Sequence, residues 1–153
     1  MSSSRAILAA LVFACLVAPR PAQAQLCWFS ASPGTLNFGS YDPSVGGNTD
    51  TTTTFTVSCL GVATLRFTLN AGSGSYTTRQ MTSTGTDRLN YNIYQDAGRS
   101  IVWGDGTPPS QALVFTTAGF FSANPFTIYG RVPPSQWITA GAYTDNITVT
   151  LNY

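Results

Sequence analysis

Residues 143–153 read YTDNITVTLNY, with Ile147, Val149, Leu151 and Tyr153 on alternate positions. A period of two sends successive side chains to opposite faces, which is the pattern of a half-buried β-strand. The same period recurs upstream. Residues 51–59 (TTTTFTVSC) put Phe55, Val57 and Cys59 on one face, and residues 65–70 (LRFTLN) do so with Leu65, Phe67 and Leu69. Residues 89–96 (LNYNIYQD) alternate Leu89, Tyr91 and Ile93 against Asn90, Asn92 and Tyr94. Residues 35–41 (TLNFGSY) align Leu36 with Phe38, and residues 125–132 (PFTIYGRV) align Phe126, Ile128 and Gly130. Residues 112–116 (ALVFT) carry a weaker version. Between these runs lie turn formers: Asp42-Pro43, Gly46-Gly47-Asn48, AGSGS at 71–75, GDGTPP at 104–109 and VPP at 132–134. Short alternating strands separated by such turns predict an all-β sandwich or barrel. The alternation runs to Tyr153, so the last strand is expected to reach that residue.

Composition agrees. The chain has 153 residues, 43% hydrophobic and only 8% charged, where soluble domains carry about a quarter charged. All seven cations are Arg, all six anions are Asp, and His is absent. Helix-favouring Lys and Glu are missing, while Thr, Gly, Ser, Tyr and Phe abound. Without His there is no His-based triad, general base or metal site. A formal charge of +1 supplies no field to hold nucleic acid.

Residues 1–24 read as a secretory signal peptide. Arg5 gives the positive start, residues 6–18 (AILAALVFACLVA) form an apolar run, and Ala22-Gln23-Ala24 is an A-x-A cleavage site. The run is shorter than the ~20 residues a membrane-spanning helix needs. A mature chain from Gln25 to Tyr153 forms one domain with no membrane span, exported through the periplasm to the cell surface or secreted. Cys15 leaves with the leader, so Cys27 and Cys59 remain, an even number in an oxidising compartment. A bond between them is expected and closes a 33-residue loop. The alternative is a pair of free buried thiols.

The C-terminal half resembles the spore coat protein U family, whose members include secreted pilin subunits of the archaic chaperone–usher type. The matching stretches are Arg79-Gln80-Met81, LNYNIYQD at 89–96, WGDGT at 103–107, IYGRVP at 128–133, Gln136, GAYTD at 141–145 and the final strand. Cys27 and Cys59 match the family's half-cystines. The resemblance implies an immunoglobulin-like sandwich that lacks its last strand. It also implies partners that supply that strand by β-strand addition: a periplasmic chaperone, then a neighbouring pilus subunit, with assembly at an outer-membrane usher. It implies a structural protein, not an enzyme.

A missing strand leaves four or five inward apolar side chains without cover, worth about 1.5–3 kcal/mol each when buried, ~6–15 kcal/mol together. Ile147, Val149, Leu151 and Tyr153 are the expected wall of the groove so formed. The alternative is a self-complete spore or cell-surface coat protein, with these four as ordinary core. Cleavage after Ala24 leaves only Gln25 and Leu26 before Cys27. A donor strand needs about ten residues at ~3.3 Å each. Such a subunit accepts a strand and donates none, which makes it terminal or accessory in a fibre.

No catalytic residues, metal ligands or cofactors are expected. Asp96, Asp105 and Asp145 lie in the matching stretches, yet Asp105 sits between two glycines, a natural turn. Asp42, Asp50 and Asp105 form no EF-hand-like run of oxygen ligands. Trp28, Trp103 and Trp137 are candidates for stacking on sugars, Trp103 foremost, which gives a third reading as a sugar-binding adhesin module. Aromatic side chains in a small sandwich more often belong to the core.

Overall fold

The computed structural model describes residues 25–119 and 121–153. The expected signal peptide, residues 1–24, lies outside the described residues.

The strands are β1 (Leu26–Ala31), β2 (Thr49–Leu60), β3 (Thr64–Leu69), β4 (Arg79–Thr82), β5 (Arg88–Tyr94), β6 (Leu113–Thr116), β7 (Phe121–Val132) and β8 (Val149–Asn152). There is no helix among the described residues. A five-stranded sheet runs β1-β2-β7-β5-β4 and a three-stranded sheet runs β6-β3-β8. Every strand pair is antiparallel, and the two sheets form a sandwich of the immunoglobulin-like, pilin-like kind.

The long β2–β7 pair is the spine, in register from Thr49↔Val132 to Leu60↔Phe121. Alternation works as read: Phe55, Val57 and Cys59 of β2 are buried, as are Leu65, Phe67 and Leu69 of β3 and Leu89, Tyr91 and Ile93 of β5. Phe55 is the hub where the two inner faces meet. The rings of Phe29, Phe67, Trp103 and Phe126 lie 5.2–6.2 Å from its centroid. Tilted and offset contacts of this kind are the favoured aromatic geometries. Pro125 interrupts β7 opposite Thr56, but β5 covers β7 only from Tyr129 to Arg131, so this proline sits where β7 has a free edge.

Cys27 and Cys59 are directly opposed on β1 and β2 and are joined by a disulfide. It secures an edge strand whose only strand neighbour among the described residues is β2.

Two expectations need correction. Residues 35–41 run alongside the core with Leu36, Phe38 and Tyr41 packed on it, but they form no strand. The expected strand at 143–153 shrinks to Val149–Asn152, with one isolated bridge at Thr144. Both segments keep the side-chain alternation of a strand; residues 35–41 lack a hydrogen-bonded strand neighbour, and residues 143–148 are bonded only at Thr144 and Thr148, on one side.

Candidate functional site: an open groove between two unpaired walls

The two incomplete segments face each other across a groove of about 1040 Å³. One wall is residues 33–41 and the other is residues 138–149. The floor is apolar and comes from both sheets: Leu69 of β3, Met81 of β4, Leu89 and Ile93 of β5, and Ile128 of β7.

The backbone of each wall has free hydrogen-bonding capacity. In the second wall, Thr144 exchanges both backbone bonds with Thr82 at 2.8 and 2.9 Å, and the Thr148 carbonyl accepts from the Asn70 N–H at 3.3 Å. The Thr148 N–H donates to Asn70 Oδ1 at 2.9 Å. Thr144 and Thr148 are thus spent on β4 and on Asn70 at the end of β3. In an extended chain the intervening residues aim their N–H and C=O groups the other way. Tyr143, Asp145 and Ile147 therefore turn theirs toward the groove they line. In the first wall, among the described residues, no backbone–backbone hydrogen bond joins residues 33–41 to any strand. Unpaired backbone along a groove is a template for a further strand.

Side chains hold the walls instead. Leu36 and Phe38 lie on Gly130 of β7, where a Cβ would come within 2.6 Å of Leu36 Cδ2 and 2.7 Å of Phe38 Cζ. Phe38 also meets the edge of Tyr91, centroids 5.9 Å apart. Gly130→Ala is therefore expected to push the wall off the sheet and to cost about 1–3 kcal/mol by overpacking. Urea unfolding reads this, and an unchanged midpoint would mean that the wall gives way freely.

Across the groove, Asp145 is fully engaged. Its Oδ1 accepts from the Ser73 N–H, the Ser73 hydroxyl and the Asn146 N–H at 3.0, 2.9 and 2.9 Å. Its Oδ2 accepts from the Tyr91 hydroxyl at 2.7 Å. Burial first, then this bond to Asp145, pushes the Tyr91 phenol well above its ordinary value. Gly72, at φ 65°, passes so close to Asp145 that a side chain there would strike the carboxylate. The carboxylate is thus a structural tie between the 71–75 turn and the wall.

Arg79 is the buried polar residue that sequence reasoning missed. Its guanidinium has no exposed surface and donates to Asn92 Oδ1, the Asn70 carbonyl and the Trp103 carbonyl at 2.7, 2.9 and 2.7 Å. It also lies over the Tyr76 ring at 5.4 Å. Burial lowers its pKa. Its partners bring β4, β5 and the loop at 103 together beneath the groove.

Of the residues expected to form the groove, Ile147 and Val149 line it. Leu151 is half-buried opposite Phe67 of β3, and Tyr153 is 53% exposed. Trp103 is wholly buried, and its indole N–H donates to the Phe67 carbonyl at 3.2 Å. It has no free face for a sugar, which corrects the glycan-stacking expectation for this residue. Trp28 and Trp137 are the exposed tryptophans, at 38% and 77%.

The remaining carboxylates are turn and ion-pair groups. Asp50 pairs with Arg131 at 2.8 and 2.9 Å and lies 3.3 Å from Arg99. Asp42 and Asp87 accept hydroxyl and backbone bonds from Ser44 and Thr139, while Asp96 and Asp105 accept backbone N–H bonds from Ile101 and Thr107. These interactions hold all five pKa values below the ordinary carboxylate value. A depressed pKa stabilises the fold above the unfolded value and loses that contribution as pH falls through the folded one. The melting temperature is expected to hold down to about pH 4 and to drop below it. A flat profile from pH 6 to pH 2 would contradict this. No group of three or more Cys, Asp or Glu that could hold a metal occurs among the described residues.

A two-sheet antiparallel sandwich with a groove open between unpaired walls is the class of protein that these features define. The chain belongs to the Spore Coat Protein U domain family, whose family model matches residues 11–150. It is 33% identical over 136 residues to Protein U of Myxococcus xanthus, a match covering 80% of this chain and 74% of that protein. In fold it is similar to a chain of the CsuC–CsuE chaperone–tip adhesion subunit pre-assembly complex, from archaic chaperone–usher Csu pili of Acinetobacter baumannii. The TM-score is 0.58 at 19% identity, covering 85% of this chain. This chain spans 40% of the length of that one.

Proposed function

We propose that this protein is an exported structural subunit of a chaperone–usher type surface pilus, and that its groove accepts a β-strand from another protein. The observation that carries this reading is the pair of facing walls. Both have strand alternation in sequence, and both border an apolar floor with backbone groups that no strand takes up among the described residues. A strand laid between them gains main-chain bonds on two sides and buries alternate side chains, which is the logic of β-strand addition. The groove-lining carboxylate is already engaged by Ser73, Asn146 and Tyr91, so the groove suits an apolar, uncharged strand.

In this reading a periplasmic chaperone supplies the strand first and a neighbouring subunit replaces it, with an outer-membrane usher as the assembly platform. The leader is removed after Ala24. The mature chain then keeps only Gln25 and Leu26 ahead of the disulfide, so it accepts a strand without donating one and is terminal or accessory. The protein acts through packing and strand exchange, with no catalytic step. No helix among the described residues is long and apolar enough to cross a membrane. The test is the stability of the exported chain with and without a strand supplied to the groove.

A further inference from the structure

The wall at residues 33–41 has no ladder, yet its far end is fastened. The Tyr41 hydroxyl donates to the Pro133 carbonyl at 3.1 Å and accepts from the Gln136 N–H at 2.7 Å. Gln136 is itself fixed. Its Oε1 accepts from the Asn90 N–H at 2.8 Å, and its Nε2 donates to the Asn90 and Pro133 carbonyls at 2.9 and 3.0 Å. The Gln136 amide thus serves β5 as a strand neighbour would, bonding both backbone groups of Asn90. Ser135, at φ 62°, provides the bend that brings Gln136 there. A continuous set of hydrogen bonds therefore runs from the groove wall to β5, beside the floor residues Leu89 and Tyr91.

We propose that Tyr41 is a positioning residue for the strand that enters the groove: its hydroxyl, held between Pro133 and Gln136, sets the wall at ladder distance from the incoming strand. This rests on the strand-accepting reading of the groove. Ladder neighbours stand ~4.8 Å apart, and hydrogen bonds weaken steeply once distance and angle slip. In an empty groove a loosened wall has no ladder to lose. In a filled groove the same loosening disrupts every bond between wall and strand. Tyr41 therefore matters more to the filled protein than to the empty one, whereas a residue that only braces the fold matters equally to both.

The experiment appends a strand of about eight residues, alternating Thr and Val, after Tyr153 through an Asn-Gly turn. Urea unfolding is then measured for the natural sequence and for Tyr41→Phe, each with and without the appended strand. The ratio of the unfolding constants with and without it measures the strand's grip. Tyr41→Phe is expected to weaken that grip about tenfold, equivalent to ~1.4 kcal/mol. Equal grip in both sequences overturns the proposal. If the strand grips neither sequence, the strand-accepting reading falls, and the role of Tyr41 with it. Amide exchange in the filled protein alone is a second readout, usable even where the empty form is too unstable to titrate. Tyr41→Phe is expected to speed exchange about tenfold in residues 35–41 while β2 and β7 stay unchanged. A uniform rise over the whole sheet overturns the proposal.

Discussion

The chain from Gln25 to Tyr153, expressed without a partner, is expected to be marginally stable or to aggregate, and to gain about 3–6 kcal/mol when a strand fills the groove. The figure follows from how far each lining residue is already covered. Leu69, Leu89, Ile93 and Ile128 are buried by the fold itself and have little left to gain. Leu36, Phe38, Ile138, Tyr143, Ile147 and Val149 are only partly buried against the core. Full burial of such side chains is worth about 1.5–3 kcal/mol each, and each of the six keeps at most about a third of its surface exposed, so covering them recovers up to about a third of that sum. Main-chain bonds to both walls add a net contribution of ~1 kcal/mol each, offset by the entropy of ordering the strand. The total falls at or below the lower end of the ~6–15 kcal/mol expected for wholly uncovered residues, yet it is a large share of the ~5–15 kcal/mol that stabilises a typical domain.

The control for this prediction is Val149→Asp. Val149 borders the groove and is partly buried against the core, so Val149→Asp is measured in both the empty and the filled protein and the effect is read as the difference. A strand laid over it would bury an unpaired charge against apolar neighbours, and the gain should vanish. Thermal or urea unfolding with a chaperone or a strand peptide reads the effect directly. A purified chain that is monomeric, melts cooperatively at high temperature and gains nothing from either would be a self-complete sandwich. The coat-protein reading would then stand in place of the pilus reading.

The parts of this fold that are legible in the sequence are those where alternation and β-branched or aromatic residues coincide. β2, β3 and β5 follow their predicted spans closely, because one face of each is apolar and the other polar. β1 escapes that reading because Leu26 and Trp28 point outward, so LCWFSA shows no clean alternation. β4 escapes because one of its two buried positions is Arg79, whose burial is made tolerable by carbonyls from distant segments. Trp103 could be placed on a surface or in a core by sequence alone; the Phe67 carbonyl that receives its N–H decides the matter. The walls of the groove show the converse. Their alternation is fully legible, and the expectation of strands at 35–41 and 143–148 fails because pairing needs a partner, a property that no local pattern encodes. The Tyr41–Gln136–Asn90 connection spans the sequence from one wall to β5 and has no signal of its own beyond the presence of Gln136 among the family-like stretches.

Replacing Cys59 by Ser is expected to cost about 2–5 kcal/mol. The two half-cystines are 32 positions apart, and the chain-entropy account assigns a loop of that size ~3.5–4 kcal/mol through restriction of the unfolded chain. The native state adds to this. Cys59 is fully buried beside Val57 and Phe55, so the serine hydroxyl would enter an apolar site. The effect should also be directional. Among the described residues β1 is an edge strand that pairs only with β2, and the chain leaving it passes directly into the unladdered wall of the groove. Losing the covalent tie frees β1 to fray and loosens the wall from its N-terminal side. The urea midpoint should fall with little change in the slope. Amide exchange should rise first in β1, before the β2–β7 spine opens. An unfolding free energy within ~0.5 kcal/mol of the natural protein, or exchange that rises evenly over both sheets, would show that the bond neither stabilises the fold nor anchors β1.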